Sequence, residues 1–317
     1  SGRRKGTLKD FVNFVKLTGA STNQDICSGT VIEANDVPHE IRHAQMLYTA
    51  MKYSDKCFMG STMGAQGAKD SIRMASILFG SEAQLAEKPR FISILCSLTP
   101  LKYDVRMLGA LMEYARAGQP QLISSLSIAG ATGPVTLAGN LALQNAEILA
   151  GIALAQLVRE GTPVIFAGAS SNAEMRSGAL SIGSPEMAMN TAATARMARY
   201  YKLPSRSGGA VCDAKVPDAQ AAYESMMSLL MAQASGINFV LHTAGILDTY
   251  NCMSYEKFIV DDEMCGMVKR IKKGFKVNDI TLGLDVIKEV GPGGHFLDKD
   301  HTLEHFRGEL YQPTISN

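Results

Sequence analysis

Short apolar runs rich in β-branched residues recur along the chain, and segments with helical periodicity separate them. The apolar runs cover residues 25–31, 56–60, 90–96, 121–128, 163–167, 209–213 and 237–242. The helical segments cover residues 38–53, 69–79, 105–117, 136–159, 184–201 and 218–234. This alternation predicts an α/β fold with a parallel sheet covered by helices. Seven strands are visible where a closed barrel has eight, so the pattern alone leaves a barrel and a doubly wound sheet as alternatives.

Two of the runs end abruptly in polar residues before a helical pattern resumes. Asp213 and Lys215 follow one of them, and His242 and Thr243 follow the other. Buried parallel strands deliver chemical groups at their carboxyl ends in this way. The same rule predicts candidate site residues after each strand: Thr62, Met63, Ser97, Thr99, Ala131, Thr132, Ser171, Asn172, Asp213, Lys215, His242, Thr243 and Tyr250.

The composition is that of an ordinary globular protein. Hydrophobic residues make up 46% of the 317 residues, charged residues make up 19%, and the net charge is +1, which argues against a nucleic-acid or membrane surface. No apolar run reaches the roughly 20 residues that cross a bilayer, and the first residues lack the apolar core of a signal peptide. We therefore expect a cytoplasmic protein. The six cysteines are scattered without regular pairing, which predicts free thiols.

The last part of the chain mixes glycines with three histidines. The spacing of His295, His301 and His305 places only the last two on one helical face, so we expect no metal site. Glycines at 130–139 and 291–294 lack the spacing of a phosphate-binding loop, so we expect no bound nucleotide.

No linker divides the chain. We predict one domain over residues 1–317, in which residues 291–317 form a C-terminal extension that packs on the barrel.

Four longer segments carry a resemblance to a known family. They are PVTLAGNLALQNAEILAGIALAQL (134–157), GSPEMAMNTAATARMARYYKLPSRSGG (183–209), DAKVPDAQAAYE (213–224) and FLDKDHTLEHFR (296–307). With them the chain resembles the trimethylamine methyltransferase family over essentially its whole length. Members are TIM-barrel enzymes and are usually longer, so the resemblance implies a (β/α)8 TIM barrel truncated at its N-terminus and lacking a short C-terminal piece.

The resemblance also implies a reaction. Family members transfer a methyl group from a methylated amine to the Co(I) of a corrinoid (cobalamin) that a separate protein carries, so we expect no tightly bound cofactor in this chain. All 317 letters are standard residues, which resembles the branch without pyrrolysine, whose members act on quaternary amines such as glycine betaine, proline betaine or carnitine. We expect a corrinoid protein and a small methylated amine as partners, no nucleic acid or membrane, and a homo-oligomer.

A quaternary ammonium departs as a neutral amine, so the enzyme needs only to position it and exclude water. We assign no catalytic side chain. His242 either fixes a substrate carboxylate or is a core histidine, and Asp213 either faces the ammonium or pairs with Lys215. Tyr250 and Tyr103 offer ring faces to the methyl groups or serve in packing. The predicted substrate-binding residues are His242, Asp213, Asn172, Tyr250, Tyr103 and Thr243.

Two other interpretations remain open. A Schiff-base lyase using Lys215 would need a desolvated lysine with a lowered pKa. A truncated, non-catalytic paralogue would keep the fold and bind a corrinoid partner without turnover.

Overall fold

The computed structural model describes residues 3–27 and 32–316 of the chain. It divides into two compact units, Ser1–Asp262 and Glu263–Asn317. The first predicted strand, at 25–31, lies partly outside the described residues.

The described residues form twelve helices and eleven short strands. The helices are α1 Leu8–Ala20, α2 His39–Tyr53, α3 Gly64–Phe79, α4 Glu82–Glu87, α5 Val105–Arg116, α6 Leu137–Val158, α7 Pro185–Tyr200, α8 Ala219–Ala234, α9 Tyr255–Lys273, α10 Asp279–Leu282, α11 Leu284–Val290 and α12 Asp300–Glu309. The strands are β1 Phe58–Met59, β2 Phe91–Cys96, β3 Gln121–Ser125, β4 Ile128–Ala129, β5 Val164–Gly168, β6 Ser171–Ala173, β7 Leu180–Ser181, β8 Ser205–Gly208, β9 Phe239–Leu241, β10 Ile246–Leu247 and β11 Cys252–Met253.

One parallel sheet organises the first unit. Its strand order is β1-β2-β3-β5-β8-β9, which follows the order of the chain, and helices lie between successive strands. Ile26 adds a parallel bridge to Cys57 beside β1. Because all six strands run parallel, the loops after their carboxyl ends share one edge, which we call the mouth.

The sheet is curled, since side chains from its two edge strands meet in one cluster. Met59 of β1 and Leu241 of β9 pack together with Leu122 of β3 and with residues of β2 and β5. Beyond the strands, the Thr243 hydroxyl donates to the Gln24 side chain, which joins the two ends of the sheet. One face of the sheet is therefore an interior, as in a barrel.

The outer face of the sheet packs beneath the helices. Phe58 and Phe91 stack with ring centroids 5.7 Å apart, and Tyr114 of α5 meets Phe91 edge-on at 5.8 Å. The Tyr114 hydroxyl donates to the Ser61 carbonyl, so the same packing fixes the loop after β1. Burying each such aromatic side chain contributes about 1.5–3 kcal/mol to folding.

Most of the predicted elements are confirmed, often to within one or two residues. The helix predicted at 136–159 is Leu137–Val158, and the strand predicted at 90–96 is Phe91–Cys96. One strand is wrong: residues 209–213 form a loop, and the strand is Ser205–Gly208 immediately before it. The curled parallel α/β sheet is confirmed, whereas a closed eight-stranded barrel stays a prediction.

The expectation that no segment is apolar enough to cross a membrane is wrong by length and composition. α6 has 22 residues and a window of mean hydropathy 1.5. Its buried positions nevertheless include Asn140, Gln144 and Glu147, which hydrogen-bond the loops and helices of the first unit. Such polar side chains are costly in lipid, and here each has a hydrogen-bond partner within the first unit.

The second unit has little buried surface of its own. No residue in the described helices α10, α11 and α12 is buried. Its clearest internal anchor is Glu263, whose carboxylate accepts hydrogen bonds from Tyr311 at 3.1 Å and from the Thr314 amide at 3.0 Å. The packing of residues 291–317 on the barrel stays a prediction.

Candidate functional site

A buried arginine lies inside the curled sheet. Arg206 of β8 pairs in register with Ala167 and Phe239, whose side chains both face the interior. Arg206 is only 2% exposed. Charged side chains are rarely buried so completely unless they are paired. Yet no ion pair joins Arg206 to any carboxylate of the described residues, and its Nε atom has no hydrogen-bond partner among them. An unpaired guanidinium in such a place suits an anionic ligand.

His242 and Tyr250 lie beside this guanidinium. Nη2 of Arg206 is 3.3 Å from Nδ1 of His242, and the rings of His242 and Tyr250 are 4.9 Å apart. Gly208, on the same strand as Arg206, lies beside the Tyr250 hydroxyl, since a Cβ atom there would be in ordinary van der Waals contact with it at 3.7 Å. A cation, a neutral hydrogen-bonding ring and an aromatic face therefore converge at one point.

The environment sets the charge of this group. Burial, followed by the charge of Arg206, lowers the pKa of His242 from 6.5 to about 3, so its ring is neutral at pH 7. Because Nδ1 accepts from Arg206, the remaining proton is assigned to Nε2. Burial also lowers the pKa of Arg206, but an arginine stays protonated in proteins. At neutral pH the pair thus carries one positive charge.

The pH dependence of the protein's stability should show that His242 is neutral in the folded state. An unfolded chain protonates His242 below pH 6.5, whereas the folded chain does not until about pH 3. We therefore expect the free energy of unfolding to fall as pH drops through this window, by roughly 2–4 kcal/mol from this residue alone. Urea unfolding from pH 4 to 7 should show a shallower pH dependence for His242→Asn than for the unaltered chain. The exposed His39→Asn is the matched control, and parallel curves for all three proteins would contradict the assignment.

Tyr250 is presented by a strained turn. Asp248, Thr249 and Tyr250 all have positive φ angles, of 50°, 54° and 68°, and His242 has a φ of 60°. Such left-handed residues persist only where their surroundings hold them, and they concentrate at functional sites. The Asp248 amide donates to the Ala214 carbonyl at 2.8 Å, and the Thr249 amide donates to the Cys212 carbonyl at 3.2 Å. The loops after β8 and β9 therefore stabilise each other through backbone hydrogen bonds.

Two predicted residues serve as anchors of this turn. The Asp213 carboxylate accepts a hydrogen bond from the Thr249 hydroxyl at 2.9 Å. It also accepts from the Ser181 hydroxyl and from the amides of Ile182 and Gly183. Lys215 pairs with Asp248 rather than with Asp213, and its side chain is 71% exposed. An exposed, ion-paired lysine is not the desolvated amine that a Schiff-base enzyme requires.

The other predicted residues are distributed between the mouth and the surrounding core. Asn172 lies on β6, where its Oδ1 accepts from Ser184 at 2.7 Å. Thr243 donates to Gln24 at the seam of the sheet. Tyr103 instead donates its hydroxyl to the Glu147 carbonyl at 2.8 Å and lies against Gly151 of α6, under the helix layer.

The remaining strand-end candidates have local roles. Ser97 and Thr99 donate to the Glu147 carboxylate, and Thr132 accepts from the Ile128 amide at 2.9 Å. Ser171 donates to the Ser181 carbonyl. Thr62 and Met63 line the cavity described next, and Ala131 closes the turn after β4 through its amide.

A cavity of about 790 Å³ opens at the mouth. It reaches inward to Met59 and Ile94 of the interior and is walled by Tyr250. Its volume is in the range of small-molecule sites. The outer lining includes four basic side chains, Arg3, Arg4, Lys5 and Arg42, and three of them form ion pairs, with Asp248, Asp10 and Glu33.

Sequence reasoning missed Arg206, the central group of this site. It also missed Ser124 and Cys96, which pair in register on the same interior row. The available signal was an isolated arginine within the short segment SRSGG at 205–209. No three His, Cys, Asp or Glu side chains of the described residues group as a metal site.

The fold and the site define a class: a curled parallel α/β sheet with a buried guanidinium on its interior face and no metal ligand group among the described residues. Comparison with known proteins makes this more specific. The model of the trimethylamine methyltransferase (MTTB) family matches residues 1–317, and the chain belongs to that family.

Several curated relatives are similar along nearly the whole chain. A glycine betaine methyltransferase of Desulfitobacterium hafniense (strain Y51) is 56% identical over 315 residues, which are 99% of this chain and 66% of the relative. A proline betaine:corrinoid methyltransferase of Eubacterium limosum is 33% identical over 97% of this chain and 66% of its own length. The chain thus spans about two thirds of the length of these relatives.

A solved structure shares the fold. The monomethylamine methyltransferase of Methanosarcina barkeri superposes with a TM-score of 0.56 at 11% identity, over 88% of this chain and 59% of that one. This likeness concerns the fold alone.

Proposed function

We propose that this chain belongs to a methyltransferase that takes a methyl group from a carboxylated quaternary amine, such as glycine betaine, and passes it to the Co(I) of a corrinoid held by a partner protein. The observation that carries the proposal is the buried guanidinium of Arg206, which has no carboxylate partner among the described residues. The family and the 56% identical glycine betaine methyltransferase support the same reaction.

The proposed site separates the two ends of a zwitterion. Arg206 binds the carboxylate through paired N–H groups, and His242 fixes the orientation of the guanidinium and adds a neutral donor. Tyr250, next to His242, offers its ring to the trimethylammonium. Asp213, Asn172 and Thr243 stay predictions as direct substrate contacts.

The reaction is balanced without any proton transfer. The partner's corrinoid would supply a strongly nucleophilic Co(I), which would give both electrons of the new bond to the methyl carbon and become Co(III) as the carbon–nitrogen bond breaks. The electron pair of that bond stays on nitrogen, and a neutral tertiary amine departs. The residues of this chain then need only to bind the carboxylate, aim the methyl group at the mouth and keep water away. A neutral His242 suits this role, since no general acid is required.

The proposal extends to the whole protein. We infer that it folds as a (β/α)8 barrel, works in the cytoplasm as a homo-oligomer and methylates a corrinoid that a separate protein carries. The curled parallel sheet supports the first of these inferences.

A substrate panel tests the proposal. Reduced corrinoid protein is mixed with the chain and with glycine betaine, proline betaine, carnitine, trimethylamine or choline, and corrinoid methylation is followed by absorbance. We expect turnover with carboxylated quaternary amines and little with choline, which lacks the carboxylate. Equal rates with choline would contradict the role of Arg206. No methylation with any amine would favour the non-catalytic interpretation.

Replacing His242 with alanine should weaken substrate binding more than the chemical step. The site would lose about one charge-assisted hydrogen bond, a loss of roughly 1.5–3 kcal/mol or about 10- to 150-fold in kcat/KM. Most of the change should appear in KM, because the reacting methyl group is unaffected. His305→Ala, in the second unit, is the control. An unchanged half-saturation for His242→Ala would exclude the assigned role.

A further inference from the structure

Gly208 ends β8 on the interior face of the sheet, nearer the mouth than Arg206. It pairs in register with Leu241, whereas Arg206 pairs with Phe239. Both of these partners belong to the interior apolar cluster. Because alternate residues of a strand share one face, Gly208 and Arg206 both face the interior. Gly208 is therefore the next interior position of β8 towards the mouth.

The arginine, histidine and tyrosine of the candidate site meet beside this glycine. His242 directly follows Leu241, the residue that pairs with Gly208. Since Nη2 of Arg206 is 3.3 Å from Nδ1 of His242, the guanidinium extends along the interior face to the level of Gly208. The Tyr250 hydroxyl lies at the same level, 3.7 Å from the place of a Cβ atom on Gly208.

Neither the backbone nor the packing of the described residues requires a glycine at position 208. Gly208 has the extended backbone of a strand, which every residue type adopts. An added Cβ atom would lie 3.5 Å from the Met187 methyl group and 3.6 Å from a Val211 methyl group. These are ordinary van der Waals distances. A space for about one methyl group therefore lies beside Gly208, between the side chains of Met187, Val211 and Tyr250.

A glycine on the neighbouring strand has a different cause. A Cβ atom on Gly168 of β5 would lie 2.2 Å from the Thr194 hydroxyl, so packing against α7 requires that glycine. A glycine in a strand weakens the strand, and it marks a bulge, a tight bend or the close approach of a ligand. The regular register of β8 with β9 continues through Gly208, which argues against a bulge. The position of Gly208 beside the guanidinium favours a ligand.

The chemistry of the space indicates which part of a ligand enters it. Met187 and Val211 are fully buried and apolar, so an aliphatic group fits between them. The guanidinium lies at the same level, so that group is close to the carboxylate in the proposed mode of binding. In an amino-acid-derived betaine, the carbon next to the carboxylate is the α-carbon.

We propose that the space at Gly208 binds a small alkyl substituent on the α-carbon of the substrate, which makes Gly208 a specificity-determining residue. The substrate class is then that of α-substituted amino-acid betaines. This rests on the proposed function, because it takes Arg206 as the partner of the substrate carboxylate. Filling an apolar space with one methyl group is worth about 10- to 200-fold in kcat/KM.

The test exchanges a methyl group of the substrate for a methyl group of the protein. L-alanine betaine differs from glycine betaine only by a methyl group on the α-carbon, and Gly208→Ala places a methyl group in the proposed space. Corrinoid methylation gives kcat/KM for each betaine, and calorimetry with the chain alone gives each Kd. Gly308→Ala, in α12 of the second unit, is the matched control, since no atom lies within 4 Å of its added Cβ.

We expect the unaltered chain to favour alanine betaine and Gly208→Ala to favour glycine betaine, so that the ratio of their kcat/KM values changes by at least ~30-fold. The change should appear mainly in KM and Kd, because the reacting methyl group is on nitrogen. The melting temperature of Gly208→Ala should stay the same or rise by about 1–3 °C, because alanine restricts the unfolded chain and meets no steric clash. Gly308→Ala should keep the ratio of the unaltered chain.

An unchanged ratio in Gly208→Ala would overturn the proposal. A fall in its melting temperature by more than about 5 °C would do the same, since it would show that the space is not open. The proposed function fails in a different way: calorimetry would show the change of preference, but neither betaine would methylate the corrinoid. An unaltered chain that neither binds nor demethylates either betaine would overturn both.

Discussion

Arg206→Met is expected to lower kcat/KM for glycine betaine by at least ~100-fold and, at the same time, to raise the melting temperature. The activity falls because the substrate carboxylate loses a bidentate, charge-assisted partner in a site shielded from water. Stability rises because a well-packed apolar side chain replaces a buried charge that has no carboxylate partner among the described residues. Replacing buried charged groups in this way is often neutral or stabilising, by about 1–4 kcal/mol.

Two measurements check this expectation together. Corrinoid methylation against betaine concentration gives kcat/KM, and thermal unfolding followed by circular dichroism gives the melting temperature. Arg206→Lys is the informative comparison, since it keeps the charge and loses the planar fork, so its activity should be intermediate. Unchanged activity in Arg206→Met would contradict the anion site. A large fall in melting temperature would mean that the guanidinium has a structural partner.

The second large effect is expected from Glu147→Ala, and it concerns stability. The carboxylate is 2% exposed and accepts hydrogen bonds from Ser97, Thr99, Ser125 and the Leu101 amide. Its removal leaves several buried donors unpaired and opens a cavity, at a total cost of about 3–5 kcal/mol. Since domains of this kind are stable by only about 5–15 kcal/mol, the variant should be close to unfolding at 37 °C.

Urea titration should show this loss, and hydrogen exchange should accelerate first in residues 97–102. Glu147→Gln keeps the volume and one acceptor, so it should recover part of the stability. Glu160→Ala, just after α6 on the exposed surface, should change nothing. Equal midpoints for Glu147→Ala and Glu160→Ala would show that the carboxylate does not hold the loop.

The sequence was informative about the fold wherever the strands are apolar on both faces. The strands at residues 90–96 and 163–167 were predicted correctly because both of their faces are buried in apolar surroundings. β8 was missed because Ser205 and Ser207 direct their hydroxyls outward, to Asn238 and Thr191. A strand lined by serines and one arginine has no hydrophobic pattern.

Helix signals were present but not all were used. α1 was not predicted, although Thr7 and Asp10 have the spacing of a capping box and form one in the structure. The helices predicted at 184–201 and 218–234 follow good N-caps in the structure, since the Ser184 and Asp218 side chains each accept from the third amide of their helix.

The candidate site was predicted only in part, for a related physical reason. Strand-end placement correctly put His242 and Tyr250 at one mouth, because that follows from chain direction alone. It gave no information on which side chains form ion pairs. The sequence suggested Asp213 as the partner of Lys215, whereas the structure pairs Lys215 with Asp248. Long-range contacts such as those of Glu147 depend on packing across the sheet and leave no local pattern in the sequence.

The division between Arg206 and Tyr250 has an evolutionary consequence. The guanidinium belongs to a strand whose position is fixed by hydrogen bonds to both neighbouring strands, whereas the aromatic ring belongs to a loop outside the sheet, held by two backbone hydrogen bonds and by the Asp213 side chain. In the proposed mode of binding, mutations in the loop therefore change the shape of the space for the methylated nitrogen while the sheet keeps the carboxylate in place. A lineage built on this scaffold would then change from one amino-acid-derived amine to another through loop substitutions alone, with the carboxylate bound at every step.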